Sequence, residues 1–245
     1  MAEVPSLPIS RLARAVWVTW PGEDSVETPA FTLRRSRDDS RRSRAASAHR
    51  DVSDAEIAQA AEMMAGWGQP AMFWVPSDAP ALDAQLARLN YRSHDGAHYY
   101  LIEAASLAAR PIPPVTTFEI WEPLAIMADI WAEQGTSRAR QEVMARAKCP
   151  RVSIFGRVDA RPAAAAYIGA DGEVAMLHAL VTLPQHRRKG LGGHVMAQAA
   201  RWASRQGCRW LGLAVSEGNI AARALYASLG MVAVGSYAYR SRETR

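Results

Sequence analysis

The residues that invite chemistry lie in Leu177–Gly193, LHALVTLPQHRRKGLGG. There three consecutive cations, Arg187, Arg188 and Lys189, precede Gly190, Leu191, Gly192 and Gly193. A strand pattern runs into this turn and a helix pattern leaves it. Such a junction captures anions, because the first turn of a helix carries unpaired backbone N–H groups and the positive end of the dipole. Glycines at 190 and 192 let a diphosphate approach that backbone, and the basic residues before them offset its charge. The spacing is not a Walker A loop, since no Gly-Lys-Ser/Thr follows. Nor is it the Gly-x-Gly-x-x-Gly dinucleotide fingerprint. Taken alone, such a run is more often a basic turn before a helix that merely begins with glycine.

Three histidines surround the turn. His178 stands on the incoming strand, where it could accept a proton at neutral pH or simply pack within the sheet. With His186 and His194 it suggests a metal, but the two cysteines, Cys149 and Cys208, lack ligand spacing and no carboxylate joins the group. The expectation is no metal. No Gly-x-Ser-x-Gly elbow supports a serine nucleophile.

The elements around this turn read as follows. Strands are predicted at Arg151–Arg157, Ala163–Gly169 and Val174–Thr182, then a helix from Gly190 to Gln206, with Leu191, Val195, Ala199 and Trp202 as its apolar stripe. Trp210–Val215 is apolar on both parities, as in a strand buried on both faces. A short helix, Ile220–Leu229, ends at Gly230, and strands at Met231–Val234 and Tyr237–Arg240 follow. Ahead of these, helices are predicted at Glu122–Glu133 and Ser137–Lys148. The segment is α/β with mixed strand direction.

A second run, Asn219-Ile220-Ala221-Ala222-Arg223-Ala224-Leu225-Tyr226 followed by Gly230-Met231, supplies the context that the turn alone lacks. Together the two runs resemble the GNAT superfamily of acyl-CoA N-acyltransferases. In that family Arg/Gln-x-x-Gly-x-Gly/Ala at a strand-to-helix turn receives the coenzyme A pyrophosphate, and Asn-x-x-Ala-x-x-Leu-Tyr-x-x-x-Gly-Phe follows about 30 residues on. Met231 stands where the phenylalanine is usual, and Thr182-Leu183-Pro184 fits the family's Val/Thr-x-Pro step. The resemblance covers Phe118 to Arg240.

The resemblance implies a GNAT fold, a mixed and mostly antiparallel sheet flanked by helices, and acetyl-CoA as acyl donor. It implies that the backbone of Leu180, Val181 and Thr182 pairs with the pantetheine arm and offers an N–H to the thioester oxygen. Amides of Arg187, Arg188, Lys189, Gly190, Leu191, Gly192 and Gly193 would hold the pyrophosphate. Asn219 would contact the coenzyme arm, and Tyr226 would protonate the departing thiolate. The family's usual glutamate base falls at Met176, so His178 becomes the candidate base. Glu173 is a weaker one, and water-mediated deprotonation needs none. The implied reaction is acetyl transfer to a primary amine. The alternative is a non-catalytic acyl-CoA sensor.

The N-terminal part is less explicit. Three prolines in Ala108–Thr117 mark a boundary, giving units at 1–110 and 118–245. Strand-like runs occur at Ala15–Trp20, Ala30–Arg35 and Ala71–Val75, with helices at Asp54–Trp67, opened by a Ser53/Glu56 capping box, and Ala79–Leu89. A strand pair around Tyr91–Arg92 and Ala97–Glu103 closes the unit. This part resembles the degenerate N-terminal half of tandem GNAT proteins. It lacks the phosphate turn, and so implies no coenzyme site. Its arginines, Arg34, Arg35, Arg37, Arg41, Arg42, Arg44 and Arg50, are read as a solvated hairpin or a rim for an acidic substrate. A nucleic-acid footprint is less favoured, since Asp38 and Asp39 dilute the charge. This half is expected to wall the acceptor groove opposite Gly135, Thr136 and Ser137.

Composition is compatible with all of this. The 245 residues carry a formal charge of +5 and two cysteines, which excludes a disulfide framework. No apolar run approaches the roughly 20 residues of a membrane span. The first residues, MAEVPSLPISRLARAV, lack a leader's apolar core. A cytoplasmic protein with no membrane partner is expected; a homodimer is left open.

Overall fold

The computed structural model describes residues 7–242, apart from the side chain of Asp95. The first six residues of the segment read against a leader lie outside that range. The N-terminal half begins with helix α1 (Ile9–Thr19), followed by a small antiparallel sheet of β1 (Asp24–Glu27), β2 (Phe31–Arg35) and β3 (Ser47–Ala48). It continues through α2 (Asp54–Gly66), β4 (Ala71–Pro76), α3 (Pro80–Arg88), β5 (Arg92–Glu103) and the short α4 (Ala104–Ala108). The C-terminal half runs β6 (Thr117–Ile120), α5 (Ala125–Glu133), α6 (Arg138–Arg146), β7 (Arg151–Val158), β8 (Arg161–Asp171) and β9 (Val174–Thr182). It ends with α7 (Leu191–Arg205), β10 (Trp210–Ser216), α8 (Ile220–Ser228) and β11 (Val232–Arg242).

Among the described residues, one eight-stranded sheet takes strands from both halves, in the order β4-β11-β5-β10-β9-β8-β7-β6. All neighbours are antiparallel except β9 and β10. The halves exchange strands. β5 of the first half lies between β10 and β11 of the second, and β11 lies between β5 and β4. Leu101, fully buried, faces Gly212 on one side and Val232 on the other. The sequence boundary between the units falls in the connection from α4 to β6, while their strands interlock across it.

Helices cover both faces. On one, α7 packs Leu191, Val195, Met196, Ala199, Ala200 and Trp202 against Ile154, Ala164, Leu177 and Leu213 of the sheet. On the other, α1 lays Leu12, Ala13 and Val16 over Met176, Tyr99 and Tyr237. Beside it, Met127, Ile130 and Trp131 of α5 and Val143 of α6 cover Ala165 and Tyr167. The stretch Ala15–Trp20, read as a strand from its β-branched and aromatic residues, is the end of α1. Its burial repeats at Ile9, Leu12, Ala13 and Val16, the spacing of a helix face.

The strand pair expected around residues 91–103 is the single strand β5, and the two C-terminal strands are one, β11, with register shifts at Ala233/Gly235 and Tyr237/Tyr239. The arginine hairpin is not wholly solvated. Arg34 is buried, with its guanidinium 3.6 Å from the Trp17 ring centroid, and it donates to the Ala45 carbonyl (3.0 Å) and to Ser47 Oγ (3.1 Å).

Candidate active site

Two features of the backbone make the site. The first is the start of α7. Gly190, its N-cap, has φ 79° and ψ −7°, the left-handed region that favours glycine, and Arg188 before it has φ 60°. The first inward bond of the helix is His194 N–H to the Gly190 carbonyl (3.2 Å). The amides of Arg188 through Gly193 find no acceptor among the described residues, so they form a cluster of free donors at the positive end of a 15-residue helix. Arg187 differs, because its amide is taken by the Pro184 carbonyl (3.2 Å). Its side chain donates to the Thr182 carbonyl (3.0 Å) and to Gln134 Oε1 (2.8 Å), tying the end of β9 to α5. Lys189 lies 3.8 Å from Asp159 in an exposed ion pair.

The glycines after the turn serve packing as well as approach. A Cβ on Gly192 would come to 3.0 Å from Leu225 Cδ2, so Leu225 of α8 would have to give by a few tenths of an ångström. At Gly190 a side chain would meet nothing nearer than 3.7 Å. Its constraint is the backbone conformation, and that mouth stands open.

The second feature is a fork. The parallel pairing of β9 and β10 runs from Val174↔Trp210 to Leu177↔Leu213 and stops. Beyond it Leu180, Val181 and Thr182 are half-buried and pair only with β8, so one edge of that backbone faces the gap. A bulge marks the divergence. Ala179 has φ 47°, and its carbonyl accepts the Trp131 indole N–H (2.9 Å), so α5 clamps the strand where it turns away.

The predicted side chains distribute around this fork. Tyr226 of α8 is buried, with its ring 6.0 Å from that of Tyr100, and its hydroxyl makes no hydrogen bond among the described residues. Burial pushes its pKa up to about 12, against a smaller opposing effect from the Arg42 charge. The phenol therefore stays protonated. Asn219 is exposed and caps α8, its Oδ1 accepting from Ala222 N–H (3.1 Å). Met176 is fully buried beneath α1 and against Gly212.

His178 lies on the α1 face, where burial, aided by the Arg42 charge, holds its pKa well below the usual histidine value. Its ring lies 5.1 Å from Trp20 and 6.0 Å from Tyr167. Nε2 is 2.7 Å from Thr19 Oγ1. That hydroxyl donates to the Ala15 carbonyl (2.7 Å), so Nε2 carries the proton and Nδ1 keeps a lone pair without a partner. Of the other histidines, His186 lies in the turn after β9 and His194 in the first turn of α7. No cluster of three or more His, Cys, Asp or Glu suited to a metal occurs among the described residues.

Two contacts were not foreseen from the sequence, which marked Arg42 only as one member of the basic cluster. Arg42 Nη2 donates to the Ala214 carbonyl (2.8 Å) at the fork. Trp131 fixes the bulge. The alternation of hydrophobic residues could flag Trp131 as core, but nothing local in the sequence marks either contact, since each is made across halves or between distant elements.

The site thus sets a cluster of free N–H donors beside the open edge of a forked parallel pair. The model of the acetyltransferase (GNAT) family matches residues 119–231. This segment is a GNAT domain. The fold extends the likeness to the whole chain. A GCN5-related N-acetyltransferase from Kribbella flavida is 20% identical, with 96% of each chain covered and a TM-score of 0.73. A tandem GNAT protein from the clavulanic acid biosynthesis pathway is 13% identical, covering 99% of this chain and 90% of its own, with a TM-score of 0.68. A functionally unknown conserved protein from Staphylococcus epidermidis reaches 0.71 at 13% identity, with 91% and 95% covered. At these identities the likeness shows the fold. No curated protein sequence matches the chain. The GNAT family and fold support acyl transfer from an acyl-CoA, and no helix among the described residues is long and apolar enough to cross a membrane.

Proposed function

We propose that the chain transfers the acetyl group of acetyl-CoA to a primary amine by direct attack on the thioester. The observation that carries the reading is the run of free amides opening on the fork between β9 and β10. These residues fit the carrier. Amides from Arg188 to Gly193 would take the pyrophosphate, with Arg187 acting through its side-chain brace rather than its amide. The free edge of Leu180, Val181 and Thr182 would pair with the pantetheine arm, and Asn219 would line the arm from α8.

The neutral amine nitrogen forms a bond to the thioester carbon as the carbon–sulfur bond breaks. Tyr226 gives its proton to the departing thiolate and regains one from solvent, while the nitrogen sheds its surplus proton. A main-chain N–H at the free edge of β9 stabilises the oxyanion. His178 acts here as a hydrogen-bond acceptor that orients the amine through Nδ1. With its basicity suppressed, final deprotonation falls to water. Placement of the amine against the thioester supplies much of the rate. A cytoplasmic location suits both the free thiols and this donor.

A non-catalytic acyl-CoA sensor is the second reading, favoured by Met176 at the usual position of the base and by the weakly basic His178. Calorimetry with acetyl-CoA and thiol release with a panel of amines separate the two. Binding with release establishes the transferase, binding without release establishes the sensor, and absence of binding removes both.

A further inference from the structure

Arg42 is set apart from the other inward-facing arginines of this protein. Arg11 meets Asp171 at 2.7 Å, Arg240 meets Asp83 at 2.6 Å, and Arg146 lies between Glu23 and Asp38. Arg34 has no paired carboxylate among the described residues, but its donors reach Ala45 and Ser47 and its face rests on Trp17. Arg42 meets the Ala214 carbonyl and the Tyr237 phenol, and no carboxylate lies against it among the described residues. Around it stand Tyr99, Tyr237 and Tyr239, all buried. The half-buried guanidinium thus has neutral acceptors but, among the described residues, no anion against it.

Its position is held firmly. Asp38, with its side chain fully buried, accepts from Ser40 N–H (2.7 Å), from Ser43 Oγ (2.7 and 2.8 Å) and from Ser36 Oγ, which fixes the 3-10 turn Arg41–Ser43. The turn presents Arg42 at the fork. Ala214 is the residue after the last paired position of β10, and His178 is its counterpart on β9.

From His178 a row of buried polar groups runs across the sheet. Tyr167 pairs in register with His178 and with Ser153, so the three stand side by side on β9, β8 and β7. His178 Nδ1, Tyr167 Oη and Ser153 Oγ are each buried and each lack a hydrogen-bond partner. Three adjacent unsatisfied polar atoms are unusual in a folded interior and point to a ligand. Trp20 and Trp131 bound the row with apolar surface.

We propose that the acceptor is an amino-carboxylate, an amino acid or a close analogue. Its carboxylate rests on Arg42 and its amine faces His178 Nδ1, at the near end of the polar row. This rests on the acetyl transfer proposed above and names the substrate class for it. It also gives the N-terminal half a specificity role, since the carboxylate receiver comes from that half and the acyl donor site from the other.

The test uses the full chain, acetyl-CoA and matched sets of acceptors: an amino acid, its carboxamide and its decarboxylated amine. Thiol release should favour the amino acid by at least about tenfold in kcat/KM, in line with the strength of charge-assisted bonds to carboxylate. In Arg42→Gln that preference should vanish, mainly through KM, while acetyl-CoA affinity by calorimetry stays within about twofold. Arg42→Lys, which keeps the charge without the fork of donors, should restore part of the preference and guards against misfolding of the first variant. Equal or better use of the carboxamide or the decarboxylated amine by the wild type would overturn the proposal and leave acetyl transfer intact. So would retained preference in Arg42→Gln. Failure of acetyl-CoA to bind would instead remove the transfer reading itself, and the acceptor assignment with it.

Discussion

Helix α2, strand β4, helix α3 and strand β5 of the first half have the same order and nearly the same lengths as α7, β10, α8 and β11 of the second. Helices α3 and α8 each have nine residues, and each ends in a left-handed residue, Asn90 (φ 63°) or Gly230 (φ 85°). The two helix openings differ in chemistry. At α2, Ser53 Oγ accepts from Glu56 N–H, the Glu56 carboxylate accepts from Ser53 N–H, and Arg50 meets that carboxylate at 2.6 Å. The Ser53 and Glu56 donors there are answered from within the chain. At α7, glycine replaces the cap, no acidic residue occupies the first turn, and the donors stay open. Where α8 carries Tyr226, the corresponding place in α3 holds Leu86, fully buried in the first-half core. One backbone plan therefore opens once on a capped helix and once on free donors, the proposed anion receptor, and a handful of side chains decides which.

The strongest test of this contrast removes the scaffold copy. A chain lacking residues 1–110 strips β5 from between β10 and β11 and α1 from the sheet face. We expect no cooperative unfolding transition in circular dichroism, and a stable, cooperatively folding fragment would show the first half to be dispensable. Next, Gly190→Asp puts a β-carbon on a left-handed residue and a carboxylate beside the diphosphate site. Acetyl-CoA affinity in calorimetry should fall by about a hundredfold or more. Ser53→Ala at the other opening should leave that affinity unchanged and lower stability by about 1 kcal/mol in urea titration.

Tyr226→Phe, which makes the second copy as inert as Leu86 makes the first, should lower kcat by about ten- to a hundredfold with coenzyme affinity within twofold. Equal turnover would release Tyr226 from the acid role. The smallest effect concerns His178, which has no counterpart at the closed opening. Its folded pKa is depressed, so below the ordinary value of about 6.5 the unfolded chain binds a proton that the native chain refuses. That contribution to stability is lost as pH falls, at up to about 1.4 kcal/mol per pH unit. In urea melts between pH 7.5 and 5, His178→Gln should show the shallower decline. Parallel declines would mean that the native imidazole takes up a proton readily, restoring it as a proton carrier.

Local chemistry was what the sequence made legible. The Ser53/Glu56 box, the glycine turn at 190 and the strand runs from Arg151 to Val215 are each written in neighbouring residues, and each lies close to its expected place. What escaped was non-local. The helical period of α1 was hidden by the strand-forming residues Val16, Trp17, Val18 and Trp20. The interleaving of β5 with β10 and β11 depends on pairings more than a hundred positions apart, which no local pattern encodes. Arg42 and Arg34 lie in one basic run and look alike in sequence. Only the folded chain separates Arg42 at the fork from Arg34 beneath Trp17.

The order of the central strands also bears on the protein's birth at the ribosome. Between β4 and β5 sits β11, which leaves the exit tunnel more than a hundred residues after them. Until its arrival the first half holds a vacant slot with two exposed edges, the kind of surface that invites wrong partners. Synthesis must therefore pass β11 before the sheet can close, and a message broken off ahead of its codons should yield a product for the chaperones rather than a weakened enzyme.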